Sequence, residues 1–274
     1  MRPIFRWIAA SAVTLAAACG QPQEIESPAD AKPTMVDQAT VAVTTPAPLG
    51  PVGTYTLVFS DEFTNTKLDR RKWDTKYPYT RAPQHGELEG YASSAVTIAN
   101  GTLRLTATKV PLGSQPYTSG MVTSAGKFTW QYGVAEIRLK TPPGVGYWPA
   151  FWTMNIPYGG FPPEIDMLEL KGGSPSTIWM GHYWGLWPTV YGWQRYWTGA
   201  NFTTGFHTVT VEWTPTYLIW YVDGIWRART KTNIPQTGMY LIANLAIGGT
   251  FAGNPTPATV FPGVMEVDYI RVWK

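Results

Sequence analysis

The sequence predicts an all-β protein, an antiparallel β-sandwich of many short strands. Three observations carry this expectation. Apolar residues recur with period two: Ala135, Ile137 and Leu139 alternate with Glu136, Arg138 and Lys140. Two turn pairs, Asn100-Gly101 and Asp223-Gly224, interrupt such runs, and both tolerate the positive φ that tight hairpins demand. The 27 Gly and 24 Pro are spread throughout, and no long stretch carries a helical apolar stripe.

The elements follow in chain order. Residues 1–19 read as an export signal: Arg2 and Arg6 form a basic start, and the apolar run Trp7–Ala18 is too short to span a membrane. It ends in small residues before Cys19, a pattern resembling the lipobox of bacterial lipoproteins, in which that cysteine is lipidated. The other reading is an ordinary signal cut near Ala18. Either way the chain is expected to be exported, as a cell-envelope lipoprotein or as a secreted protein, touching a membrane only through Cys19. Residues 20–53 are rich in Pro, Ala and Thr, with almost no aromatics to bury, and are expected to form a flexible tether. One domain and a monomer are expected from 54–274. Within it, Ala95–Ala99 and Thr102–Thr108 form a hairpin around Asn100-Gly101. Val209, Val211 and Trp213 alternate with Thr208, Thr210 and Glu212, Tyr217–Val222 and Ile225–Ala228 form a second hairpin, and Val264–Trp273 is the last strand.

Composition narrows the function. Setting aside Arg2 and Arg6 leaves 19 basic against 18 acidic residues, so no basic stripe offers itself to a nucleic acid. The 14 Trp and 15 Tyr exceed what a core ordinarily needs, because a buried indole N–H must find a partner. An aromatic-lined surface for an uncharged polymer fits better. Cys19 is the only cysteine, which excludes a disulfide or a cysteine-bound metal in the folded part. His85, His182 and His207 are too widely spaced for a zinc pattern.

The chemistry concentrates in Pro162-Pro163-Glu164-Ile165-Asp166-Met167-Leu168-Glu169-Leu170. Glu164 and Asp166 share a strand face, whereas Glu169, five residues on from Glu164, would point the other way on a regular strand. A β-bulge at Met167-Leu168 returns Glu169 to the common face. Crowding three carboxylates raises at least one pKa, as a general acid near neutral pH requires. A solvated acidic face or a calcium site would use the same spacing.

Glu164-Ile165-Asp166-Met167-Leu168-Glu169 resembles the bulged E-x-D-x-x-E signature of glycoside hydrolase family 16, in the form found in laminarinases and endo-1,3(4)-β-glucanases. Phe59-Ser60-Asp61-Glu62-Phe63, Gly146-Tyr147-Trp148-Pro149-Ala150-Phe151-Trp152, Asn244-Leu245-Ala246-Ile247-Gly248-Gly249 and Val267-Asp268-Tyr269-Ile270-Arg271-Val272 resemble further segments of that family, in the same order. The resemblance implies a curved, concanavalin A-like jelly roll with a cleft on its concave face. It also implies Glu164 as nucleophile, Glu169 as acid/base and Asp166 as the group that tunes the nucleophile.

The implied activity is retaining, endo-acting hydrolysis of a β-1,3- or mixed β-1,3-1,4-glucan, with no cofactor in the chemistry. Substrate contacts are expected from Trp148, Trp152, Glu87, Tyr91 and Asn244, and from His182, Trp184 and Trp193 in the aromatic stretch after the catalytic strand. Glu62, Gly101 and Asp268 match the family's structural Ca²⁺ positions. Two departures stand out: Glu89 replaces the usual Gln, and Met121 stands where laminarinases carry Arg. Rival readings are the same fold acting on a galactan or exopolysaccharide, a transglycosylase, and a non-catalytic glycan-binding protein.

Overall fold

The structure, a computed structural model, describes residues 46–79, 85–155 and 161–274. Cys19, the expected signal and residues 20–45 of the expected tether lie outside the described residues. Sixteen strands follow one another: β1 (Leu57–Asp61), β2 (Glu89–Tyr91), β3 (Val96–Ala99), β4 (Thr102–Ala107), β5 (Tyr117–Ser119), β6 (Met121–Thr123), β7 (Gly133–Lys140) and β8 (Tyr147–Asn155), then β9 (Glu164–Leu170), β10 (Thr177–Leu186), β11 (Thr189–Thr198), β12 (His207–Trp213), β13 (Leu218–Val222), β14 (Ile225–Thr230), β15 (Met239–Ile247) and β16 (Gly263–Trp273). The only α-helix among the described residues is the single turn α1 (Gly249–Ala252).

Two antiparallel sheets form the sandwich. The outer sheet has the order β14-β13-β12-β7-β16-β4-β3, with β1 also paired to β16; the inner sheet has the order β11-β10-β9-β8-β15-β6. Both expected hairpins are present. At the first, Asn100 and Gly101 take φ of 55° and 71°, the two positive values that turn a two-residue loop.

Alternation decides which side chains meet between the sheets. Leu103, Leu105, Ile137, Leu139, Val209 and Val211 project from the outer sheet; Phe151, Ile165, Leu170, Leu241 and Leu245 project from the inner one. All are fully buried, and each removes apolar surface worth about 1.5–3 kcal/mol from water. Five tryptophans, Trp73, Trp130, Trp213, Trp220 and Trp273, are also fully buried, so the high Trp count is partly a core property. Four of them donate their indole N–H: Trp73 to Asp61, Trp213 to the Pro235 carbonyl, Trp220 to the Asp166 carbonyl and Trp273 to the Pro46 carbonyl.

The last of these bonds moves a boundary expected from sequence. Residues 46–51, placed in the tether by their composition, lie on the outer face of the outer sheet. There the Leu49 N–H donates to Glu136 at 2.7 Å, and Pro48 and Pro51 are buried. Glu136 also accepts from Thr210 and Tyr269 and is fully buried, although strand alternation points it outward. The strap explains that burial.

The bulge expected in the carboxylate strand is present. Trp152 pairs with Asp166 and Phe151 with Leu168, leaving Met167 as the extra residue; the β10 side slips at the same place. Ile165, Met167 and Leu168 are all fully buried. The Asp166 carbonyl beside this break takes the Trp220 indole N–H at 3.0 Å from across the core. Trp220→Phe removes that donor and leaves a smaller aromatic ring in its place. It should lower unfolding stability by about 1–3 kcal/mol, read from the urea midpoint, because a buried acceptor loses its partner. An unchanged midpoint would contradict the assigned contact.

Candidate active site

Strand β9 carries the three carboxylates to the concave face of the inner sheet. Glu164 lies opposite Met154 and Tyr183, Asp166 opposite Trp152 and Gly181, and Glu169 opposite Ala150 and Trp179. Gly181 makes room: a Cβ there would stand 3.0 Å from the Trp193 carbonyl oxygen and 3.4 Å from Asp166 Oδ2.

Burial and mutual repulsion set the electrostatics. Asp166 is almost fully buried, and its carboxyl is pushed well above the ordinary value by desolvation, then by the charges of Glu164 and Glu169, then by a hydrogen bond with Glu164. Its carboxyl therefore holds its proton more tightly than an ordinary aspartic acid and is hydrogen-bonded to Glu164. Glu169 is pushed up to about 7, chiefly by burial; the Trp148 indole N–H and the charge of Lys171 pull against that shift. The Trp148 bond, Nε1 to Oε1, measures 2.9 Å. One carboxyl pushed well above its ordinary value beside another poised near neutrality is the arrangement that acid/base chemistry uses.

The concave floor on the β8 and β15 side is built from Trp152, Asn244 and Tyr91. Trp152 donates to the Asn244 amide oxygen at 2.7 Å, and the Asn244 amide nitrogen donates to Tyr91 Oη at 2.9 Å. Glu89, buried behind Tyr91, accepts the Ile247 N–H at 2.7 Å and is raised to about 7 by desolvation. Beside Glu169 the wall is aromatic. Trp148 packs on Phe251, Phe251 on Trp179 and Trp179 on Tyr196, with ring centroids 4.8, 5.8 and 5.3 Å apart. At the Glu164 end, Gln194 donates to Tyr183 Oη, and Phe161 packs on Tyr183.

Several expected contacts are corrected by register. His182 lies opposite Ile165 and Trp193, so it faces the other sheet and not the cleft. It is fully buried against Trp184 and Trp193, and burial pushes its pKa down to about 4, the backbone of Thr232 offsetting part of the shift. Trp184 stacks on His182 from the same side, and Trp193 stacks on core Trp220. All three stand on the face opposite Glu164, Asp166 and Glu169. Glu87 is buried and accepts the His85 N–H, bracing the loop that carries it.

At the expected Ca²⁺ positions both carboxylates are engaged by arginines. Glu62 gives both oxygens to Arg271, and Asp268, the bulged residue between Val267 and Tyr269, pairs with Arg138. Gly101 is the apex of a hairpin turn. Among the described residues no group of three His, Cys, Asp or Glu is placed to hold a metal.

Lys171, Trp179, Tyr183, Gln194, Tyr196 and Phe251 were missed as individual site residues. For the strand residues the signal was available: counting by two from Gly181, the small residue facing Asp166, selects Trp179 and Tyr183.

Comparison with known proteins agrees with the fold. A model of glycosyl hydrolases family 16 matches residues 89–271, and the chain belongs to that family. A second model, described as beta-glucan synthesis-associated protein SKN1/KRE6/Sbg1, matches residues 4–166 and stops inside β9. A glucan endo-1,3-beta-glucosidase A1 of Niallia circulans is 32% identical over 289 residues, covering 91% of this chain and 42% of the relative. A beta-glucanase of Rhodothermus marinus is 30% identical, covering 80% of this chain and 85% of the relative. The catalytic domain of a Thermotoga petrophila endo-1,3-beta-glucanase superposes with a TM-score of 0.74 at 30% identity, over 81% of this chain and 99% of that one. The chain spans 42% to 51% of the length of three of the curated relatives it matches.

Glu89 and Glu169 both bind protons more tightly folded than unfolded. Their stabilising contribution is complete below the unfolded value near 4.5 and is lost as pH rises through about 7. The melting temperature should therefore fall between pH 5 and pH 8, and Glu169→Gln should flatten part of that slope. An identical slope in the variant would contradict the raised Glu169 pKa.

Proposed function

We propose that the chain is an endo-acting, retaining β-glucanase that hydrolyses internal β-1,3 or mixed β-1,3-1,4 linkages. The observation that carries this reading is the single strand face holding Glu164, Asp166 and Glu169, with the Asp166 carboxyl pushed up by burial and by its two acidic neighbours. The names of the glucan-cleaving relatives support the substrate class. The intact carboxylate set argues against a binding protein.

Glu164, kept ionised by the Asp166 hydrogen bond, attacks the anomeric carbon. Its carboxylate oxygen forms the new bond to C1 as the glycosidic C–O bond breaks, and Glu169 gives its proton to the departing oxygen. In the second half Glu169, now a carboxylate, takes a proton from water. The water oxygen bonds to C1, and the ester to Glu164 is released. Trp152, Asn244 and Tyr91 form the floor for the sugar that is transferred, while Trp148, Phe251 and Trp179 wall the leaving-group side. Sugar C–H faces pack against such rings, and the tied amide of Asn244 offers a fixed polar edge.

Export and lipidation at Cys19 belong to the same proposal. The strap at residues 46–51 leaves the domain on the face away from the cleft, so an anchor upstream of it would hold the cleft outward.

Three measurements test the reading. Glu164→Gln should lower kcat on laminarin or lichenan at least about a thousandfold while the fold is retained, and near-wild-type turnover would remove the assignment. Proton NMR of fresh digests should show the β-anomer first; α-anomers first, or cleavage only of a galactan, would overturn the mechanism or the substrate respectively. Trp179→Ala should raise KM about tenfold on long glucans, reporting a lost stacking platform; an unchanged KM would remove Trp179 from the cleft.

A further inference from the structure

Lys171 occupies an unusual place for a lysine on a strand end. It stands two residues beyond Glu169 and so shares its face. Its ammonium lies 4.9 Å from the centroid of Trp179, the residue paired directly opposite Glu169, and 4.5 Å from the centroid of Phe251. Phe251 in turn packs on Trp148, whose indole N–H holds Glu169. No carboxylate among the described residues forms an ion pair with Lys171. Two ring faces thus fix a cation that would otherwise sweep through solvent, and they exclude water from the space beside the carboxyl. A charge held in place and poorly screened acts strongly on its neighbour.

We propose that Lys171 is a positioning residue for Glu169: its ammonium, clamped by Trp179 and Phe251, sets the charge state of the carboxyl that exchanges a proton with the leaving sugar. The inference rests on the glucanase reading for its meaning in catalysis. The other groups around Glu169 act in known directions. From β8 the Trp148 N–H favours ionisation of Glu169, whereas its burial disfavours it. Tyr196 packs on Trp179, the residue opposite Glu169, and the imidazole of His85 packs on Trp148. The charge of Lys171 draws Glu169 towards its ionised form.

Chemistry supplies the reason for it. Glu169 must be protonated when the glycosidic bond breaks and ionised when water attacks, so it works best balanced between the two forms. Burial pushes it towards the protonated form. The fixed ammonium restores the ionised form for the second step.

The test compares the full chain with its Lys171→Met and Lys171→Arg variants. Carbon-13 NMR of chains labelled at the glutamate carboxyl follows Glu169 directly, with Glu169→Gln identifying its resonance. The basic limb of kcat against pH on laminarin follows it in turnover. Lys171→Met should move both midpoints up by about half to one pH unit, leave the acidic limb in place and change KM less than about twofold. Lys171→Arg should restore the wild-type midpoints. An unmoved Glu169 midpoint in Lys171→Met, or an equal shift in Lys171→Arg, would overturn the proposal. If the wild type cleaves no glucan, the glucanase reading fails, while the NMR midpoints still decide the role of Lys171.

Discussion

The site depends on one irregularity in hydrogen bonding: the extra residue Met167 in β9, and the Trp220 indole N–H that reaches the Asp166 carbonyl from the opposite sheet. Without an extra residue, a strand with Glu164 and Glu169 five apart would turn one of them into the core. With it, both face the concave side, while Met167 and Leu168 sit side by side in the apolar layer. A bulge leaves ladder groups without their regular partners, and a buried carbonyl left alone costs about as much as a lost hydrogen bond. Trp220 supplies a donor there, and Trp193 stacks on Trp220 behind it. The core tryptophans are therefore part of the active-site architecture even though no substrate touches them.

On that frame the three carboxylates divide into different chemical states. Asp166 is the most enclosed, and burial and its acidic neighbours favour its protonated form, hydrogen-bonded to Glu164. Glu169 is held at an intermediate position, raised by burial and drawn back by Trp148 and Lys171. Identical functional groups a few residues apart thus acquire distinct roles from what surrounds them. Gly181 belongs to the same arrangement, because a side chain there would press on Trp193 and Asp166.

Much of this was legible in the sequence, and the failures share one physical origin. The fold class, both hairpins and the bulge followed from period two and turn chemistry. The aromatic stretch after β9 was correctly located, but its members were assigned to the wrong face: His182, Trp184 and Trp193 sit one residue out of step with the cleft, whereas Trp179, Tyr183 and Tyr196 line it. A one-residue error in parity reverses a whole strand, and residue type alone does not set parity. Phe251 could not be read this way, since a single helical turn far along the chain brings it to the site. The strap at residues 46–51 was hidden because its contacts are backbone groups meeting Glu136 and Trp273, which composition does not reveal. The pairing of the Glu62 and Asp268 carboxylates with Arg271 and Arg138 was likewise not legible, since each arginine lies far from its partner in sequence.

The central claim is that one strand face presents an ionised nucleophile at Glu164 and a separate proton donor at Glu169. Its most direct test is covalent trapping with a 2-deoxy-2-fluoro laminaribiose derivative bearing an activated leaving group, followed by peptide mapping by mass spectrometry. The account predicts a fluoroglycosyl ester on Glu164 alone. A label on Asp166 or Glu169, with Glu164 unmodified, would contradict it.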